Sequence, residues 1–143
     1  MTKKGSSSVV IVGCGRLGAL LAGELSREGA RVVVVDRVEA AFAQLDAGFS
    51  GFRVTGDAVE QRVLHLANLE RADCLMATTE KDTVNLMVAQ VAKTVFAVPR
   101  VLARVYDPAR EEMYRTLGVE TISPTRLSAG EFMRRFAGEE RRS

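Results

Sequence analysis

The sequence has no tryptophan, three prolines, two cysteines and a single histidine, and its 20 basic and 18 acidic residues almost cancel. Each scarcity excludes something. A near-neutral chain carries no broad positive field of the kind that gathers nucleic acid, so no nucleic-acid partner is expected. The basic tail, Arg134-Arg135 and Arg141-Arg142, is interrupted by Glu139-Glu140 and reads as a solvated helix end. No run approaches the roughly 18 consecutive apolar residues that cross a bilayer, which argues against direct membrane insertion and for a cytoplasmic chain. Cys14 and Cys74 suit a reducing compartment and fall near opposite ends of neighbouring strands, too far apart for a disulfide. The lone histidine, His65, lies on a helix turned away from the cleft described below, and no cluster of metal-ligating residues is present.

What remains is an alternation of apolar runs. With 47% apolar residues in 143, the chain can fill one core, and it leaves no room for a second catalytic domain. Val9-Val10-Ile11-Val12 is a β-branched run suited to a strand buried on both faces, and Val32 to Val35 repeats it before Asp36. Between them Leu17, Leu20, Leu21 and Leu25 recur at helical spacing, and Gly29 ends the helix. Val38, Ala41, Phe42 and Leu45 fit one face of a second helix. Phe52-Arg53-Val54 is a third strand; Gly56-Asp57 makes a turn able to cap a helix carrying Val59, Val63, Leu66 and Ala67. Cys74 to Ala77 is a fourth strand, followed by a helical stripe at Val84, Met87, Val88, Val91 and Val95. Val101-Leu102 lies in a fifth, Pro108 opens a helix through Met113 and Leu117, Val119 to Ile122 is a sixth strand, and a last helix spans about Thr125 to Phe136.

Strands alternating with helices predict an α/β fold: a Rossmann-like, doubly wound, parallel six-stranded sheet in the order 3-2-1-4-5-6. The expected layout is a flexible leader at 1–8, a nucleotide-binding domain at 9–137 and a flexible tail at 138–143.

Gly13-Cys14-Gly15-Arg16-Leu17-Gly18 has the GxGxxG spacing in the required context: it follows a buried strand, opens an amphipathic helix and precedes an acid by about twenty residues. Gly13 permits the turn, Gly15 lets backbone approach a phosphate and Gly18 lets the helix close on the sheet, while the first helical N–H groups attract the anion. Arg16 adds a mobile cation. Asp36 can accept both ribose hydroxyls, and its charge would repel a 2′-phosphate, which disfavours NADP. Arg37 is open to three readings: solvated, stacked on an adenine edge, or phosphate-binding. Asp57 and Ala58 either line an adenine pocket or belong to a helix cap. Thr78 and Thr79, with Asn85 one turn further on, stand where a second ribose or a γ-phosphate would lie, or cap the next helix. Arg104 either faces the same crevice or forms a surface ion pair. Cys14 reads as a small buried thiol.

This ordered set, with Ala103-Arg104-Val105-Tyr106-Asp107-Pro108 and Leu117-Gly118-Val119 before Ile122-Ser123-Pro124, resembles the N-terminal RCK domains, of TrkA-N type, of the Trk and Ktr potassium-uptake regulators. The resemblance runs from Val9 to about Phe136. It implies a regulatory subunit and not an enzyme: NAD(H) or ATP/ADP binds the crevice and alters the geometry of a homodimer, which gates a membrane-embedded potassium-transporter subunit from its cytoplasmic face. A larger ring of dimers is left open. It also implies pairing through the last helix, where Phe132, Met133 and Phe136 are too apolar for a free end. The chain departs from typical members in stopping at Ser143, before their second ligand-binding domain, as a single-domain member or a shortened one. Thr125 stands where some Ktr relatives place an acid, so no metal site is expected. The alternative is an NAD-dependent oxidoreductase domain on the same fold. Against it, Tyr106 is followed four positions on by Arg110 and not by the lysine of a Tyr-x-x-x-Lys pair.

Overall fold

The computed structural model describes the backbone of residues 7–142 and the side chains of residues 7–138. Six parallel strands form one sheet in the order 3-2-1-4-5-6, as the sequence pattern predicts. They are β1 (Ser8–Val12), β2 (Arg31–Asp36), β3 (Phe52–Thr55), β4 (Cys74–Ala77), β5 (Arg100–Arg104) and β6 (Glu120–Ile122). The helices are α1 (Arg16–Arg27), α2 (Gln61–Leu66), α3 (Asp82–Thr94), α4 (Glu111–Thr116) and α5 (Pro124–Arg142).

The unalternating composition of β1 follows from its central place, since a strand covered on both faces has no solvent side to leave polar. Val9 and Ile11 join Val32, Val34, Ala19 and Ala22 in the core beneath α1. Val10 and Val12 join Leu64, Leu75, Val88 and Tyr114 in the larger core on the opposite face. The carboxyl ends of β1 and β4 stay paired at Val12 and Ala77, but the chain leaves them for helices on opposite faces of the sheet, α1 and α3, and a crevice opens where the two departing segments diverge.

Four local expectations are corrected. Residues 39–44 form a short 3-10 turn in place of a full helix, because Phe42 alone of that stretch is buried and Val38 and Leu45 on either side are extended. Asp57 caps no helix: it accepts from Val59 N within its own turn, α2 starts later, and Val59 and Leu66 are exposed. Pro108 opens a single 3-10 turn, capped by the Asp107 side chain, and α4 follows it. The last helix continues to Arg142 where the sequence pattern ended it near Phe136, helped by Glu131 pairing with Arg134 and Arg135 one turn on. Of the expected leader, residues 1–6 lie outside the described residues, and Ser8 already pairs with Arg31 as the first residue of β1.

Asp82, at the start of α3, fastens the last third of the fold. Its carboxylate accepts from Tyr106 N (2.8 Å) and Asp107 N (3.0 Å), and its carbonyl accepts from the hydroxyl of fully buried Tyr114 (2.6 Å). We expect Tyr114→Phe to keep the fold and lower its stability by about 1 kcal/mol, one buried hydrogen bond. The urea midpoint should fall with an unchanged slope.

Candidate functional site

The crevice at the carboxyl ends of β1, β2 and β4 has a volume of about 1050 Å³. Its floor is the Gly13–Gly18 loop, held from three sides. Gly13 N donates to Val35 O (2.8 Å), and Thr78 Oγ1 donates to the Val12 and Gly13 carbonyls (3.1 Å each). Cys14 N donates to Asp36 Oδ2 (2.8 Å). The other oxygen of Asp36 accepts from Val38 N (2.9 Å), so one carboxylate fixes both the loop and the chain leaving β2.

The three glycines have different reasons to be there. Gly13 has φ +106°, and a side chain on it would press on Thr78 and Thr79 at 3.0–3.2 Å. At Gly18 an added Cβ would stand 1.8 Å from the Gly13 carbonyl oxygen. Gly15 needs neither allowance: its φ is −82° and nothing lies within 4 Å of where its Cβ would be. The open space in front of Gly15 is the crevice itself. Helix α1 starts there without a side-chain cap, and its first bond runs from Ala19 N to Gly15 O, so the N–H groups of Arg16, Leu17 and Gly18 precede the helical ladder. They suit an anion.

Of the thirteen residues singled out from sequence, twelve line this crevice: Gly13, Cys14, Gly15, Arg16, Leu17, Asp36, Arg37, Asp57, Ala58, Thr78, Thr79 and Arg104. Gly18 lies beneath it. Thr78 and Thr79 turn their hydroxyls into the protein. Thr79 bonds Asn85 Oδ1 through both N (3.0 Å) and Oγ1 (2.7 Å), and Asn85 Nδ2 donates to the carbonyls of Thr79 and Arg104 (3.0 Å each). Asn85, fully buried, therefore ties the ends of β4 and β5 together and has no hydrogen bond left for a ligand.

Arg104 resolves in favour of the crevice over a surface ion pair. Its Nη2 donates to Thr78 O (2.6 Å) and Thr79 O (3.2 Å), and its guanidinium stacks 4.8 Å from the centre of the Tyr106 ring. Its Nε is buried with no hydrogen-bond partner among the described residues. An orphaned donor of this kind costs about 1–3 kcal/mol. Arg104 thus brings a guanidinium to the crevice wall while its orphaned Nε is closed off from solvent.

Sequence reasoning missed Val38, Val59, Lys81 and Tyr106, which also line the crevice. Val38 and Val59 follow helical spacing, whereas both are exposed walls (58% and 37%) beside Asp36 and Asp57. Two-residue strand periodicity carried the signal for Tyr106, which follows Arg104 on the same side. His65 lies outside the crevice, pairing with Glu70 and packing on Phe96. Cys14 is fully buried, and its thiol is raised above its ordinary pKa by burial and then by Asp36, so it is protonated at neutral pH. Burial likewise lifts Cys74 to about 11. No group of three potential metal ligands occurs among the described residues, and none of their helices is long and apolar enough to cross a membrane.

Residues 9–124 match the TrkA-N domain family. Over 128 residues the chain is 41% identical to a Streptomyces coelicolor protein named Trk system potassium uptake protein TrkA, covering 90% of this chain and 57% of that one. The chain thus spans little more than half the length of that relative. Among solved structures, the TrkA-N domain of the Escherichia coli inner membrane protein ybaL is similar in fold, with a TM-score of 0.81 at 21% identity over 90% of this chain and 95% of that one. The Shewanella denitrificans Kef CTD, solved in an AMP-bound form, is similar with a TM-score of 0.76 at 25% identity, over 88% and 77% of the two chains.

The glycines can be told apart by stability alone. Gly18→Ala forces backbone apart at the Gly13 carbonyl and should cost about 1–3 kcal/mol as overpacking, whereas Gly15→Ala, at an unstrained helix start, should cost less than about 1 kcal/mol. Parallel urea titrations check this, and equal losses would mean that the fold and not the crevice requires Gly15.

Proposed function

The chain belongs to the TrkA-N domain family, and from that membership we propose that it is a nucleotide-binding regulatory module of a potassium-uptake system and not an enzyme. The observation that carries the ligand is Gly15, a loop glycine that lines the crevice with open space where its side chain would stand. Around it, the uncapped start of α1 and Arg16 would take phosphate, Asp36 would take ribose hydroxyls, and Val38, Val59 and Ala58 offer apolar walls for a base. The ligand is an adenine nucleotide, NAD(H) or ATP/ADP. The AMP-bound form of the Shewanella denitrificans relative supports this class.

The regulatory half of the reading is supported by the potassium-uptake relative. The chain would sit at the cytoplasmic face of a membrane, docked on a membrane-embedded potassium-transporter subunit. It would pair with a second copy through α5, on which Phe132, Met133 and Phe136 are 77%, 63% and 58% exposed. An apolar strip of this kind on a charged helix is a surface made to be covered.

Calorimetric titration with NADH, ADP and ATP tests the ligand. Wild type should bind at least one of them. Gly15→Val should abolish that binding with the fold intact, and Asp36→Ala should weaken it by about 1.5–3 kcal/mol, the loss of hydrogen bonds to a charged group. Arg16→Ala sorts the candidates: a contact to the γ-phosphate would weaken ATP more than ADP, while equal losses assign Arg16 to the inner phosphates. Failure of all three nucleotides to bind, or normal binding by Gly15→Val, would sink the proposal.

A further inference from the structure

Helix α5 leaves the body of the protein almost unsupported. From Pro124 to Gly138 it has no buried residue. Its start is held by Ser123, which accepts from Arg126 N through Oγ (3.2 Å) and from Leu127 N through its carbonyl (2.9 Å). A cap of this kind satisfies the first N–H groups of the helix and holds nothing beyond its first turn. Among the described residues, one hydrogen-bonded ion pair joins a side chain of α5 to the rest of the fold. Arg126 Nε donates to Glu111 Oε1 at 2.5 Å.

Glu111 is an unusual partner for a surface arginine. It is 8% exposed, at the first position of α4, and its other oxygen accepts from Thr121 Oγ1 of β6 (3.3 Å). A carboxylate this buried is expensive unless it is paired, so it holds its cation more strongly than an exposed one would. Its base is rigid as well. Helix α4 is pinned by buried Tyr114 to Asp82, and Asp82 holds the turn that precedes α4. Every link from the crevice wall to Glu111 is internal; only the last, to Arg126, reaches out to α5.

We propose that Glu111 is a positioning residue that latches α5 to the body through Arg126 and so sets the angle at which α5 projects. The latch exists within one chain. Its consequence rests on the reading of α5 as the pairing helix: the angle fixes how the crevices of two paired copies face each other. Since the latch requires no nucleotide, it can be tested whether or not the ligand proposal holds.

The test is a distance measurement by pulsed electron resonance between nitroxides at Gln90→Cys on α3 and Ala137→Cys on α5, both exposed positions. Brief labelling favours the two exposed introduced cysteines over buried Cys14 and half-buried Cys74, and the unsubstituted protein carried through the same labelling checks this. Dilution with unlabelled protein restricts the signal to distances within one chain. Wild type should give one narrow distance. Arg126→Ala should broaden and shift it without lowering helix content, Glu111→Gln should do the same, and Arg126→Lys, which keeps a cation within reach, should recover part of the narrow distribution. Should Glu111→Gln fail to fold, Arg126→Ala carries the test, because the Arg126 side chain is 66% exposed. A wild-type distribution retained in Arg126→Ala, or a broad one already in wild type, would overturn the latch.

Discussion

The contact between Gly18 and the carbonyl of Gly13 governs this structure. A helix that begins one turn after a central strand must either stand off from the sheet or press its backbone against the loop it came from, and here it presses. That approach brings the start of α1 over the end of β1, so its free N–H groups open into the crevice. The same approach lets Thr78, at the end of the neighbouring strand, reach the carbonyls on either side of the turn. Loosening this contact would move the loop, the helix and the end of β4 together.

Asp36 shows how a carboxylate lining the crevice is held in one orientation by the fold itself. Both of its oxygens already accept backbone N–H groups, one from the glycine loop and one from the chain beyond β2. A carboxylate oxygen has room for a second donor, so these bonds orient the group without exhausting it. The cost of ordering the carboxylate is met on folding and need not be met again when a ligand arrives. Arg104 is the opposite case. It is held by carbonyls and a ring, with a donor unmatched, so it gains from rearranging.

The sheet was legible in the sequence because strands covered on both faces leave nothing to ambiguity: Val9 to Val12 and Val32 to Val35 could hardly be helix faces beside glycine loops. Most of the crevice was legible too, since Gly13 to Leu17 and Asp36 owe their places to the strand ends that precede them. Reading failed where apolar residues were assumed to face the core. Val38 and Val59 follow helical spacing yet line the crevice, because the segments that carry them are too short to form the helices that spacing implied. Asn85 stood out only as a neighbour of the Thr78-Thr79 strand end, and Glu111 not at all, for another reason. Their roles depend on partners six and fifteen residues away that only the folded chain brings together.

The pairing of β1 with β4 joins Val9 to Cys74, 65 residues apart, and the crevice lies across that junction. The β1–β2 half of the sheet can assemble from nearer segments, whereas the β1–β4 seam must wait for the chain to return from a long excursion, whose closure is entropically slow. The glycine loop therefore acquires its second wall only as the two halves of the sheet meet. A chain caught before that event has half a site, so a molecule that spans the seam recognises completed folding and shifts the population toward it.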